Sequence, residues 1–87
     1  MTTWRKLINK AMLTQGDGWE NLETHAPLTT EWLDDEFDDG YGAEEGCAFT
    51  LWTRRYIYFP ACYDGSEWVE SVARNPNGVP TNHIGGD

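Results

Sequence analysis

Apolar residues at Trp4, Leu7, Ile8, Ala11 and Met12 recur at spacings of three and four, which places them on one face of a helix. Thr2 or Thr3 can cap its start, and Gly16 followed by Asp17-Gly18 is a stop signal. Arg5, Lys6 and Lys10 fall mostly outside the apolar stripe. Trp19 to Ala26 fits neither period and reads as a short edge strand or an extended crossing that Pro27 ends. Thr29-Thr30 is an N-cap signal for a short second helix with a narrow stripe of Trp32, Leu33 and Phe37. Glu31 and Asp34 fall in its first turn, where the helix dipole favours acids, and Gly40 and Gly42 break it.

From there the period changes. Ala48–Thr53, Tyr56–Ala61 and Glu67–Ala73 are rich in aromatic and β-branched residues and read as strands. Arg54-Arg55 separates the first two. Asp64-Gly65 separates the second and third, and its composition suits a two-residue turn with φ > 0 at both positions. Centring the hairpins on those pairs sets a register: Leu51 faces Tyr58, Phe49 faces Pro60, Cys47 faces Cys62, Ile57 faces Val72, Phe59 faces Glu70 and Ala61 faces Trp68. One sheet face then collects Ala48, Trp52, Ile57, Phe59, Ala61, Trp68 and Val72. The other collects Cys47, Phe49, Leu51, Tyr56, Tyr58, Pro60, Cys62 and Val69. Both are too apolar for water, so the first helix must cover one, and the second helix, a second copy or a partner must cover the other. Pro60 lacks a ladder donor, which calls for a bulge or an end to pairing there. The expected fold is α+β: a three- to four-stranded antiparallel β-meander with an N-terminal helix and a short second helix. Residues 1–76 form the domain and 77–87 a loose tail.

Eighty-seven residues suit one domain, and five Trp, four Tyr and three Phe compensate for the small core. Fifteen acids against six bases give a formal charge of −9, which opposes direct binding to nucleic acid or to anionic membranes and favours a basic partner. No apolar run approaches the length of a membrane span, and the N-terminus lacks the apolar stretch of a signal peptide. The expected compartment is a bacterial cytoplasm, with Cys47 and Cys62 as thiols.

The charge is concentrated. From Asp17 through Glu45 there are eleven acids and no Lys or Arg, and Glu31, Asp34, Asp35, Glu36, Asp38, Asp39, Glu44 and Glu45 form its dense half. Ordinary surfaces mix the two signs. Such a block is either a solvated face that keeps a small protein soluble or a surface that imitates nucleic acid phosphates, which place one charge per strand on about 3.4 Å of duplex axis. Asp34, Glu36, Asp38 and Glu45 also occupy positions one, three, five and twelve of a calcium-loop spacing. Asp39 stands where that loop requires Gly, so the motif fails at its sharp turn. Cys47 follows Glu44-Glu45, and acidic neighbours disfavour the thiolate that a Cys–His nucleophile with His25 or His83 would need. No cysteine spacing suits zinc. Tyr56, Tyr58 and Trp68 could stack bases, but such sheets need surrounding cations and only Arg54, Arg55 and Arg74 are near, so core and cross-strand packing is the expectation. The expectation is a protein without enzymatic activity, catalytic residues, cofactor or metal.

Trp52-Thr53, Tyr56, Tyr58-Phe59-Pro60, Tyr63-Asp64-Gly65, Glu67, Val69, Ser71-Val72 and Arg74-Asn75-Pro76 form a pattern that resembles a small family of uncharacterised bacteriophage and prophage proteins. The resemblance covers residues 49–76 and implies a phage accessory protein acting inside a bacterium. In size, acidity and lack of catalytic motifs the chain is also similar to anti-CRISPR proteins. That implies an inhibitor whose acidic block occupies the nucleic-acid groove of a basic host protein or ribonucleoprotein, such as a CRISPR effector. The alternative is a non-catalytic structural or regulatory phage protein that self-associates through an apolar sheet face. Monomer and homodimer both remain open.

Overall fold

The computed structural model describes residues 1–40 and 45–84. Helix α1 spans Trp4–Gln15. Thr3 is its N-cap, and its hydroxyl oxygen accepts the Lys6 N–H at 3.2 Å. The helix stops at Gly16, whose φ of 68° is open to glycine without a Cβ clash. Gly16 N–H donates to the Leu13 carbonyl at 3.2 Å and Asp17 N–H to the Met12 carbonyl at 2.9 Å, the paired bonds of a Schellman ending. Trp4, Ile8 and Met12 are buried, and Leu7 and Ala11 pack beside them, so the expected stripe is the core face.

A 3₁₀ turn at Trp19–Asn21 leads into β1 (Leu22–Ala26), followed by β2 (Thr50–Thr53), β3 (Tyr56–Tyr63) and β4 (Ser66–Ala73). The sheet is antiparallel in the order β1-β2-β3-β4, so Trp19–Ala26 does supply an edge strand. The hairpin registers are those expected: Leu51 pairs with Tyr58, Ile57 with Val72, Phe59 with Glu70 and Ala61 with Trp68. Asp64 and Gly65 have φ of 53° and 83°, the signature of a type I′ turn. Between β2 and β3 the pairing stops at Leu51–Tyr58, before Pro60, which cannot donate to that ladder. Phe49–Pro60 and Cys47–Cys62 therefore do not become cross-strand pairs, and both cysteines are exposed free thiols.

The second helix contracts to a single 3₁₀ turn, Glu31–Leu33, with no side-chain cap from Thr30. Continuing it would put Asp35, Glu36 and Asp38 at its C-terminal end, where the helix dipole repels acids. Phe37 is instead drawn into a bridge with Thr2, their N–H groups and carbonyls exchanging bonds of 2.9 and 3.0 Å. Trp32, Leu33 and Phe37 are still buried. They close over the same sheet face as α1. The ring of Trp4 lies 4.7 Å from Phe37 and 4.9 Å from Phe49, and Trp32 stacks on Phe49 at 5.0 Å. With Leu51, Tyr58 and Val69 these rings form one core, each large side chain contributing about 2 kcal/mol or more by burial. The second sheet face, carrying Trp52, Ile57, Phe59, Trp68 and Val72, stays half-exposed and outside that core, so the second helix does not seal it. Residues 74–84 form no helix or strand and are exposed.

Candidate functional site

The acidic block lies on the segment that follows the Trp32 turn. Its shape follows from alternating demands: Trp32, Leu33 and Phe37 must enter the core, so the acids between them are turned outward. Glu31, Asp34, Asp35, Glu36 and Glu45 are exposed, Asp38 and Asp39 half-exposed, and Glu44 lies outside the described residues. The structure thus gathers seven of the eight expected residues along one irregular ridge on the helix side of the sheet.

Their charges are not equally free. Arg5, from α1, places its guanidinium against Asp34 in a two-pronged contact, Nε to Oδ1 at 2.7 Å and Nη2 to Oδ2 at 3.0 Å. The same guanidinium lies 5.4 Å from the centre of the Trp19 ring. The Arg5 hydrogen bond holds the Asp34 carboxyl below the usual carboxylate range. A block without bases in sequence is therefore partly neutralised in space. Asp38 Oδ1 accepts the Gly40 N–H at 3.1 Å, and Glu45 Oε1 accepts the Asp38 N–H at 3.2 Å. Those contacts shape the loop and leave the outer carboxylate oxygens to solvent. Glu31, Asp35 and Glu36 form no side-chain hydrogen bond within the described residues.

The calcium-loop spacing does not become a cage. Asp34 turns to Arg5, and Asp38 and Glu45 serve backbone groups. Among the described residues no three His, Cys, Asp or Glu side chains converge on a metal position. Nor do the aromatic candidates share a platform: Tyr58 is fully buried and Tyr56 packs beside it, whereas strand alternation places Trp68 on the opposite face. The His25 ring sits 2.7 Å from the Pro27 carbonyl and edge-on to Trp32. Both cysteines are exposed free thiols, and no side-chain hydrogen bond joins either to His25 among the described residues.

Two carboxylates carry structural tasks that residue spacing does not reveal. Glu67 is 6% exposed and accepts the Glu45 N–H at 2.7 Å and the Gly46 N–H at 3.1 Å, which ties the end of the acidic segment to β4. Asp17 accepts hydrogen bonds from Thr53, Tyr58, Asn21 and the Gly18 N–H. Burial pushes the Asp17 carboxyl up, but the hydrogen bonds from Thr53, Asn21, Tyr58 and Gly18 outweigh it and hold the group below its ordinary value. Its position just after a helix-ending glycine beside a strand is the only hint in the sequence. No protein-family model matches the chain, nor does any curated protein or solved structure.

Proposed function

We propose that the chain is a non-catalytic binding protein whose acidic ridge occupies the basic, nucleic-acid-binding groove of another protein. The observation that carries this reading is the outward projection of Glu31, Asp35, Glu36, Asp38, Asp39 and Glu45 along one ridge of a chain with formal charge −9. A ridge of carboxylates on a rigid aromatic base offers a groove built for phosphates a competing set of negative charges without a nucleic acid's flexibility. Arg5, by pairing Asp34, takes that carboxylate out of the free set, which leaves Glu31 and the acids from Asp35 onward. The resemblance of residues 49–76 to phage proteins narrows the proposal. The partner class is a bacterial host defence ribonucleoprotein, with a CRISPR effector as the specific candidate, and the setting is the host cytoplasm.

The test has two arms. In a bacterium immunised against a plasmid or phage by its CRISPR system, expression of the chain restores transformation or plaque formation. The tagged chain captures the effector complex from the same cells, and salt weakens that capture steeply. The Glu31→Lys, Asp35→Lys, Glu36→Lys variant loses capture by at least about a hundredfold, since each exposed pair contributes about 0.2–1 kcal/mol and reversal adds repulsion. A Glu20→Lys, Glu23→Lys variant keeps it. Equal binding by both variants would show that the ridge only solubilises.

A further inference from the structure

Strand β4 is the second edge of the sheet, and its outer side is a row of unanswered backbone groups. The Glu67 N–H points outward to the Asp39 carbonyl at 2.6 Å, and the Arg74 N–H points inward to the Arg55 carbonyl at 2.8 Å. Alternation between those two points turns the N–H and C=O of Val69, Ser71 and Ala73 outward. Among the described residues these groups have no hydrogen-bond partner. Sheet edges are normally guarded against pairing. The other edge is: β1 has five residues, its register slips between Leu22 and Thr24, and Pro27 follows it. β4 has eight residues in unbroken register with β3 and contains no Lys or Pro. The unguarded edge opens into a slot. A cavity of about 480 Å³ lies between the strand and the half-exposed Leu7 and Ala11 of α1. A second, of about 550 Å³, lies between Ser71 and Ala73 and the C-terminal residues Val79, Pro80 and Ile84. Gln15, Glu70 and Ser71 line both, so the two run together along β4. We propose that an extended peptide segment of a partner protein enters this slot and adds to β4 as a fifth strand.

Two features choose that occupant. A row of donors and acceptors repeating at about 6.8 Å is matched along its length by another extended backbone and by no globular surface. The C-terminal segment stands beside the same edge, so a single chain fits where a second folded sheet would collide with it. The side chains of the guest follow from strand alternation. A guest residue opposite Val69 on the helix side enters the cavity beside Leu7 and Ala11 and is apolar. Its neighbour falls on the open face beside Glu70, where a basic side chain meets a carboxylate. Lys10 lines the helix wall and disfavours a basic residue on that side. The formal charge of −9 draws a basic segment inward. The slot does not depend on the acidic ridge, and either site can fail without the other.

The probe is the labelled heptapeptide Ser-Thr-Val-Lys-Val-Thr-Ser, with Ser-Thr-Val-Pro-Val-Thr-Ser as a counterpart that cannot pair fully. Fluorescence anisotropy with the full chain is expected to show saturable binding of the first below about 1 mM and at least about tenfold weaker binding of the second. Ser71→Pro removes an outward N–H that the fold does not use and is expected to weaken binding at least about tenfold. Ser71→Ala, which loses only the hydroxyl contact with Gln15, keeps it. Amide exchange on the parent chain needs no variant. The N–H groups of Val69, Ser71 and Ala73 are expected to exchange readily in the free chain and to slow at least about tenfold with saturating peptide. Absence of saturable binding up to about 1 mM, binding that Ser71→Pro leaves intact, or amides already slow in the free chain overturns the proposal. Sedimentation that shows a micromolar dimer dissolved by Ser71→Pro assigns the edge to a second copy and overturns it too.

Discussion

The Tyr58 hydroxyl donates a 2.8 Å hydrogen bond to Asp17 Oδ2, joining the interior of β3 to the residue just past the end of α1. The same oxygen takes the Thr53 hydroxyl at 2.7 Å, so one carboxylate satisfies two side chains that are 0% exposed. That arrangement bounds the pH range of the fold. Tyr58 is raised by burial first and then by its bond to Asp17, so the folded chain holds the phenol proton where the unfolded chain releases it near 10.0. A raised folded value contributes stability below about pH 10 that drains away as pH rises further. Urea unfolding of the parent should show that alkaline loss. Tyr58→Phe should remove the tyrosine part of it while costing about 1 kcal/mol at neutral pH.

Asp17 sets the acid side. Its folded value is depressed below 3.8, so its contribution is present above that pH and is lost as pH falls through the lower folded value. Asp17→Asn should flatten the acid limb below about pH 4. Asp17→Ala, which strands the Tyr58 and Thr53 hydroxyls, should cost about 1–3 kcal/mol at neutral pH. Guanidine titrations at a series of acid pH values separate the two.

Gly46 is held against the core. A Cβ there would lie 2.5 Å from Trp4 Cζ2 and 3.0 Å from Glu67 Oε1. Trp4 is 1% exposed and has no room to withdraw. Gly46→Ala should therefore destabilise the fold by about 1–3 kcal/mol, read as a lower thermal midpoint.

Gly65 depends on backbone conformation instead. With φ of 83° in the β3–β4 turn, a β-branched side chain is strained there. Gly65→Val should cost about 1 kcal/mol or more, whereas Gly65→Asn, which tolerates this region, should cost less. Equal effects from the two would contradict the type I′ turn.

Glu67 anchors the end of the acidic segment through the backbone of Glu45 and Gly46. Glu67→Ala should cost about 2 kcal/mol, since two part-buried N–H groups lose their carboxylate acceptor. Amide exchange should speed up first at Glu45 and Gly46, not across the sheet.

Helix α1, a threonine cap at Thr2 or Thr3, the Gly16 ending, the Asp64-Gly65 turn and the register of both hairpins, though not how far the β2–β3 ladder runs, could be read from the sequence alone. Each rests on residues close along the chain: a period of 3.6 or 2, a hydroxyl three residues from an N–H, a pair that accepts positive φ. The acidic ridge was legible as composition, because the acids alternate with apolar residues that must be buried. Only the tertiary structure decided the rest. It brought Arg5 across to Asp34, buried Glu67 beneath the acidic segment, and placed the Trp32 turn on the face that α1 already covered, leaving Trp52, Ile57, Phe59, Trp68 and Val72 half-open. It also ended the β2–β3 ladder before the cysteines could meet. The Arg5–Asp34 and Glu67–Glu45 contacts and the docking of the Trp32 turn join residues 20 or more apart along the chain, through backbone paths that no local periodicity specifies. They depend on which of several apolar surfaces packs around the Trp4, Trp32 and Phe49 rings.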